Sequence, residues 1–321
     1  MSQIDHAQVS DQARGLPAEA SGGQRADERG GAGIVRQGFG EPMVDVMGGD
    51  ARWEIKVHDH GLVALVDVMP RLVPQGKTAD SAIVQAARVS YGEGTKKINE
   101  DRGLIRYLAR HRHTTPFEMV EFKFHHVMPI FVARQWIRHR TANVNEYSAR
   151  YSVVQDRFYR PTLENIRRQS QSNRQGGTEA TDEKTAQEFL AQLEAAEDRY
   201  HDYEQMLEKG LSRELARISL PLSVYTEWYW KCDLHNLLHF LSLRMDEHAQ
   251  VEIRDYACAM FALIRPIVPI AAQAFVDYDV KAVRLSRLEI EAMRGGRPIA
   301  SDNQREVAEW EAKKATLRVE G

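Results

Sequence analysis

Two cysteines in 321 residues, Cys232 and Cys258, are too few for a disulfide framework, and they do not form the CxxC pair of a structural zinc or redox site. A reducing cytoplasm is the compartment that fits. Long apolar runs are missing as well. No stretch approaches the ~18 consecutive apolar residues of a membrane span, and the first residues lack a basic region followed by an apolar one, so a soluble, unexported chain is expected. An excess of one charge is also absent. With 43 Lys plus Arg against 46 Asp plus Glu the formal net charge is −3, which supplies no global attraction to nucleic acid or an acidic membrane. Any anion site must therefore be local. No GxGxxG follows a strand-like run, so a Rossmann-type nicotinamide site is not indicated.

What is present is unevenly distributed. Residues 1–50 hold 10 of the 21 glycines together with Ser, Gln, Ala and charged residues, without a sustained apolar period, and read as a poorly ordered extension. The pattern changes at Trp53, and a chain of 321 residues is long enough for one large domain or two small ones. Residues 284–321 are highly charged and read as peripheral helices.

Within 51–283, Gly61–Met69 is a Val/Leu-rich run between Gly61 and Pro70 and reads as a strand. Apolar spacing predicts helices at 80–91 and 100–112. Over 121–128, Phe122, Phe124 and His126 alternate with Glu121, Lys123 and His125, the period of a half-buried strand, so His125 and His126 point to opposite faces. Pro129 ends that strand and suits a helix's first turn. A helix is then expected over 130–138, with Gln135, Arg138 and His139 on one face and Ile130, Ala133 and Ile137 on the other. Residues 165–183 read as a polar insertion, 185–208 as one surface helix stopped by Gly210, and 222–231 as a strand. Leucines 234, 237, 238 and 241 stripe a further helix, and Ile253 to Ile264 another. Helices outnumber strands without strict βαβ alternation, so the fold class is α+β.

One segment concentrates charge. From Arg134 to Arg160 six arginines (134, 138, 140, 150, 157 and 160) face only Glu146 and Asp156, a local excess of 6 − 2 = 4. Arginine stays charged and its planar donor fork matches phosphate or carboxylate, so the segment points to an anionic ligand. A solvated loop with surface ion pairs is the bland alternative. An RNA-binding protein that stacks bases on Trp136, Tyr147, Tyr151 and Phe158 is another, and a nucleotide sensor without chemistry a third. His235 and His239 have the i, i+4 spacing of helical metal ligands, but no HExxH carboxylate accompanies them, which argues against a metal site.

The run RHRTANVNEYSARY, Arg138 to Tyr151, resembles the signature RHRxxSxNExSxRY of flavin-dependent thymidylate synthases; Asn143 stands where that family usually has Ser. The resemblance extends from about Ser81 to Asp277 through AARVSY, HTTPFE, FVARQWIRHR, ARISLPLSVYTEWYW and LHNLLHFLSLRMDEHAQVEIRDYA. It implies a central, mostly antiparallel sheet packed with helices, and a cytoplasmic methyltransferase that converts dUMP to dTMP with FAD, NADPH and methylenetetrahydrofolate. It implies no nucleic-acid partner and no metal. The catalytic domain would occupy 51–283, in a homotetramer with active sites at subunit interfaces.

By the same resemblance, dUMP would lie near Gln135, Trp136, Ile137, Arg138, Glu146, Tyr147, Ser148, Ala149 and Arg150, with Arg217 and Arg244 from later elements. FAD would lie against Arg138, His139, Arg140 and Glu146, with Ser90, with His113, Thr115 and Glu118 of the HTTPFE region, and with Asp233, Leu234, His235 and His239. Arg244 would be catalytic, stabilising charge on the uracil ring. Ser148 is a substrate-binding group on this reading, because a nucleophilic serine needs a base in reach.

Overall fold

A computed structural model describes residues 42–49, 52–89, 101–170 and 176–317. Most of the expected N-terminal extension, and Ser90, lie outside the described residues. The chain runs through β1 (Met43–Asp45), β2 (Trp53–Val57), β3 (Gly61–Met69), β4 (Leu72–Pro74), α1 (Asp80–Val89), α2 (Asp101–Arg110), β5 (Glu121–Pro129), α3 (Ile130–Trp136) and β6 (Asn143–Glu146). It continues with β7 (Arg167–Gln169), β8 (Gly177–Ala180), α4 (Glu183–Glu197), α5 (Arg199–Glu208), α6 (Arg213–Ala216), β9 (Tyr225–Asp233), α7 (Leu234–Arg244), α8 (Val251–Ile264), α9 (Pro269–Phe275), α10 (Arg287–Gly295) and α11 (Gln304–Leu317).

The central sheet has the order β2-β3-β5-β9-β6, and each neighbouring pair is antiparallel. This is the α+β class expected, with a helix-covered antiparallel sheet. The period-2 pattern of β5 decides the faces: Phe122, Phe124 and His126 are fully buried, opposite Cys232, Trp230 and Trp228 of β9. Helices α3, α7 and α8 close over this face. Trp136 of α3 stacks on Phe240 of α7 at 4.7 Å between centroids and meets His126 at 4.5 Å. Burial holds His126 in its neutral form, well below the usual imidazole range, and its Nδ1 accepts from Trp228 Nε1 at 3.2 Å. It is a core histidine.

Two close contacts lock the layers. A Cβ at Gly61 would lie 2.1 Å from Tyr256 Oη and 2.3 Å from Val57 O, so only glycine lets α8 pack this tightly on β3. Tyr256 Oη donates to Val127 O across that contact at 2.8 Å. The buried Asp80 accepts from Ile270 N at 2.8 Å and Ala271 N at 3.0 Å, capping α9 from α1.

Several boundaries differ from the sequence expectation. The single helix over 185–208 is two helices that meet at Asp198. The second, α5, brings Tyr200 and Tyr203 onto Val154, whose carbonyl accepts from Tyr200 Oη at 2.7 Å and whose N–H donates to Tyr203 Oη at 3.1 Å. Tertiary docking overrides the continuous period. The strand expected over 222–231 begins only at Tyr225, because the carbonyls of Leu222 and Val224 accept from Phe131 N and Ile130 N and are spent on the first turn of α3. The insertion at 165–183 contains the β7–β8 hairpin. Beyond α9 a π-turn, Val276–Val280, leads to α10, which opens on a capping box of Ser286 and Glu289. Ala292, Ile299 and Trp310 form a small core between α10 and α11. Among the described residues no helix is long and apolar enough to cross a membrane.

Candidate active site

The arginine-rich signature is launched by α3. Pro129 sits in the extended region at its N-cap, and the helix buries Val132, Ala133 and Trp136. It ends at Trp136, two residues short of expectation, with His139 N donating to Trp136 O at 2.9 Å in the turn that follows. Ile137 is therefore 44% exposed instead of sharing an apolar face with Ala133. Arg138 and Arg140 are exposed, whereas the Trp136 side chain is sealed in the core and leaves only its backbone for a ligand. Among the described residues Gln135 Oε1 is buried without a hydrogen-bond partner, an acceptor open to an outside donor.

From the turn, His139 leans on Phe240 at 4.9 Å between ring centroids and approaches His239 at 6.3 Å. Arg244 Nε donates to His139 Nε2 at 3.1 Å, which requires that nitrogen to be unprotonated. Burial first, then the charge of Arg244 and the neighbouring His239, hold the imidazole pKa down at about 4. His139 is neutral at physiological pH, and Arg244 keeps its charge because arginine titrates far above it.

Beside this pair lies a cleft of about 230 Å³ between the end of α2, α7 and α9. His113, His235 and His239, three of the expected flavin residues, line it together. On α7 the lining residues 235, 238, 239 and 242 follow helical spacing, so one face of that helix was available to pattern reading. Thr114 lines the cleft where Thr115 was expected, and Glu118 does not. Asp233 is committed to capping α7, accepting from Asn236 N at 2.9 Å and Asn236 Nδ2 at 2.8 Å. Leu234 is fully buried and its N–H donates to Val120 O at 2.7 Å. Sequence reasoning missed the apolar walls Leu108, Phe117, Leu243 and Phe275, and the charged Arg112, Asp279 and Arg284.

The remaining signature residues gather elsewhere. Strand β6, which the sequence pattern does not announce, pairs only with β9 at the sheet edge, and its four residues are exposed. Glu146 Oε1 accepts from Thr226 Oγ1 at 2.8 Å, and Tyr147 N donates to Glu227 O at 2.8 Å. Ser148 Oγ accepts from Arg150 N at 3.3 Å, Ala149 packs on the cluster containing Ala216, and Arg150 Nε lies 3.6 Å from Glu214 Oε2 of α6. Arg217 follows α6 in a short 3-10 turn. Neither this group nor Gln135, Arg138 and Arg140 lines the cleft.

The donor set fits a flavin dinucleotide: apolar walls suit a ring system, and histidine and arginine groups at the edge suit its polar and phosphate parts. Comparison with known proteins agrees. A family model described as thymidylate synthase complementing protein matches residues 71–270. The flavin-dependent thymidylate synthase of Dictyostelium discoideum is 69% identical over 273 residues, covering 85% of this chain and 90% of that protein. The one of Wolbachia pipientis wMel is 55% identical over 242 residues, covering 75% and 82%. A UMP/dUMP methylase from Streptomyces cacaoi, solved with 5-Br dUMP, superposes with a TM-score of 0.60 at 33% identity, over 70% of this chain and 98% of that one. The fold and site thus define a methyltransferase of the flavin-using class. The chain belongs to the flavin-dependent thymidylate synthase family.

The His139–Arg244 contact sets a pH dependence. A histidine whose folded pKa lies below its unfolded value of about 6.5 contributes stability that is complete above that value and is lost as pH falls toward 4. In an NMR titration the His139 ring nitrogens should show a midpoint near 4; a midpoint near 6.5 would mean that the buried, arginine-bonded state does not form in solution.

Proposed function

We propose that this chain catalyses reductive methylation of dUMP: dUMP, methylenetetrahydrofolate, NADPH and a proton give dTMP, tetrahydrofolate and NADP⁺, in the cytoplasm. One observation carries the proposal: the signature histidine His139 meets Arg244, and both adjoin a cleft lined by His113, His235 and His239. When bound, FAD supplies the two-electron reduction that turns the transferred methylene into methyl. The chain's own residues bind, orient and polarise. Gln135 offers a desolvated amide oxygen to a donor such as the uracil ring N–H. Arg244, held by a neutral partner, keeps its full charge for the electron density that develops on uracil. A cysteine adduct has no support here. Burial raises the thiol pKa of both Cys232 and Cys258, which keeps them protonated, and neither lines the cleft.

Arg244→Ala should retain FAD but lose about 100 to 1000-fold in turnover at saturating dUMP, the usual effect of removing a donor to developing charge. Full turnover, with only weaker dUMP binding, would demote Arg244 to a binding residue.

The catalytic unit is assigned to 51–283, with 284–321 as a peripheral segment. The working form is assigned as a homotetramer in which Gln135 and Arg138 of one chain meet Ser148 and Arg150 of another. Two features favour sharing. The β6–α6 group and the histidine cleft have no lining residue in common. Tyr151, Leu215, Ile218 and Leu222 near Arg150 and Arg217 are all more than half exposed, an apolar surface that suits association. Arg138→Ala and Arg150→Ala, each inactive, should regain activity when refolded together, because some sites then receive both arginines. Continued inactivity after mass spectrometry confirms subunit exchange would place both arginines in one chain's site.

A further inference from the structure

Three charged side chains close the outer edge of the cleft, and the signature accounts for none of them. Arg112 follows α2, whereas Asp279 and Arg284 lie beyond the 71–270 segment matched by the family model. Asp279 Oδ1 accepts from Arg112 Nη2 at 3.2 Å and also from Arg284 Nη2, so one carboxylate oxygen joins two guanidinium groups across the mouth. The π-turn carrying Asp279 is itself pinned to α2, through Arg106 and Asp277 at 2.6 Å and the stacking of Arg106 over Tyr278 at 4.8 Å.

Stability does not explain the arrangement. The side chains of Arg112 and Arg284 are 63% and 65% exposed, and exposed ion pairs contribute little to folding. Arg112 moreover occupies the left-handed region, with φ at 55°, where glycine is favoured and another residue costs on the order of 1 kcal/mol. An arginine thus occupies a position where the backbone favours glycine.

Electrostatics supplies a use. Asp279 is the one carboxylate among the residues that line the cleft, and both arginines already share it, so the mouth keeps a net charge of 2 − 1 = +1 with guanidinium donors to spare. At about 230 Å³ the cleft is smaller than a typical ligand pocket of roughly 300 to 1,000 Å³, so a dinucleotide seated in it must extend through the mouth. Adjacent guanidinium forks recognise phosphate or carboxylate oxyanions, and phosphate is the one that a dinucleotide supplies.

We propose that Arg112 and Arg284, bridged by Asp279, form a phosphate-recognition clasp at the mouth of the cleft, through which the segment after residue 270 binds the phosphate of an incoming dinucleotide. The inference rests on the flavin reading of the cleft. Two dinucleotides of the reaction carry the required chemistry, FAD through its diphosphate and NADPH through its phosphates. The clasp acts on binding and not on the chemical step.

Full-length wild type, Arg112→Gly, Arg284→Gln and Asp279→Asn should be compared. FAD affinity is read from quenching of flavin fluorescence, and KM for NADPH and for NADH from anaerobic reduction of the bound flavin. Arg112→Gly suits the local backbone, so it should fold at least as well as wild type. Each arginine variant should weaken one dinucleotide about tenfold, with a smaller deficit at high salt. Weaker FAD identifies the cofactor's diphosphate, and a raised KM for NADPH identifies the reductant. Asp279→Asn, which frees both guanidinium groups, should bind that dinucleotide as tightly as wild type or more tightly. A purely structural clasp predicts the opposite, and loss in Asp279→Asn equal to that in the arginine variants would overturn the proposal. So would arginine variants that match wild type for both dinucleotides. A wild-type protein that binds no FAD would sink the flavin reading together with the clasp, whereas a wild type that binds FAD alongside unaffected variants would sink the clasp alone.

Discussion

The contact on which the site depends is the hydrogen bond from Arg244 to a neutral His139. It joins the turn after α3 to the last turn of α7, two elements more than a hundred residues apart in sequence. Neutrality is what makes it possible, because a protonated imidazole would have no lone pair at Nε2 and would repel the guanidinium. Burial against Phe240 enforces it. Behind the pair stands the aromatic layer of Trp136, Phe240, His126 and Trp230, which fixes where α3 ends and hence where the signature turn begins. Packing of this density leaves little freedom to shift the turn.

This layered support explains a division of labour. Side chains that face the sheet serve rigidity, and Trp136 and Leu234 belong with them although they lie inside motifs that look functional. Side chains one to three positions away, Gln135, His139 and His235, are placed by the same rigid elements but are only half-buried. The expected fold class held because it rested on strong periodicity. Alternation in β5 and the stop at Pro129 follow directly from side-chain geometry, and the striping of α7 and α8 does as well.

What was not legible has physical causes. Strand β6 is Asn-Val-Asn-Glu, with little strand propensity, and exists because the free edge of β9 offers a ladder. The break at Asp198 leaves no local mark, since that residue keeps right-handed helical angles and the bend serves Tyr200 and Tyr203 docking on Val154. The mouth of the cleft was equally hidden: Arg112 and Asp279 are 167 positions apart, and nothing local announces that they meet. The cleft histidines were found through resemblance to a family, and the residues that the signature does not include required the structure.

The central claim is that the histidine-lined cleft between α2, α7 and α9 holds a flavin that does redox work on dUMP. The most direct measurement is the visible spectrum of the purified protein, before and after anaerobic NADPH and then dUMP with methylenetetrahydrofolate. The expected result is an oxidised flavin band that bleaches with NADPH and returns as dTMP forms. A folded protein that stays colourless when titrated with FAD, or whose reduced flavin is not reoxidised by the two substrates together, would contradict it.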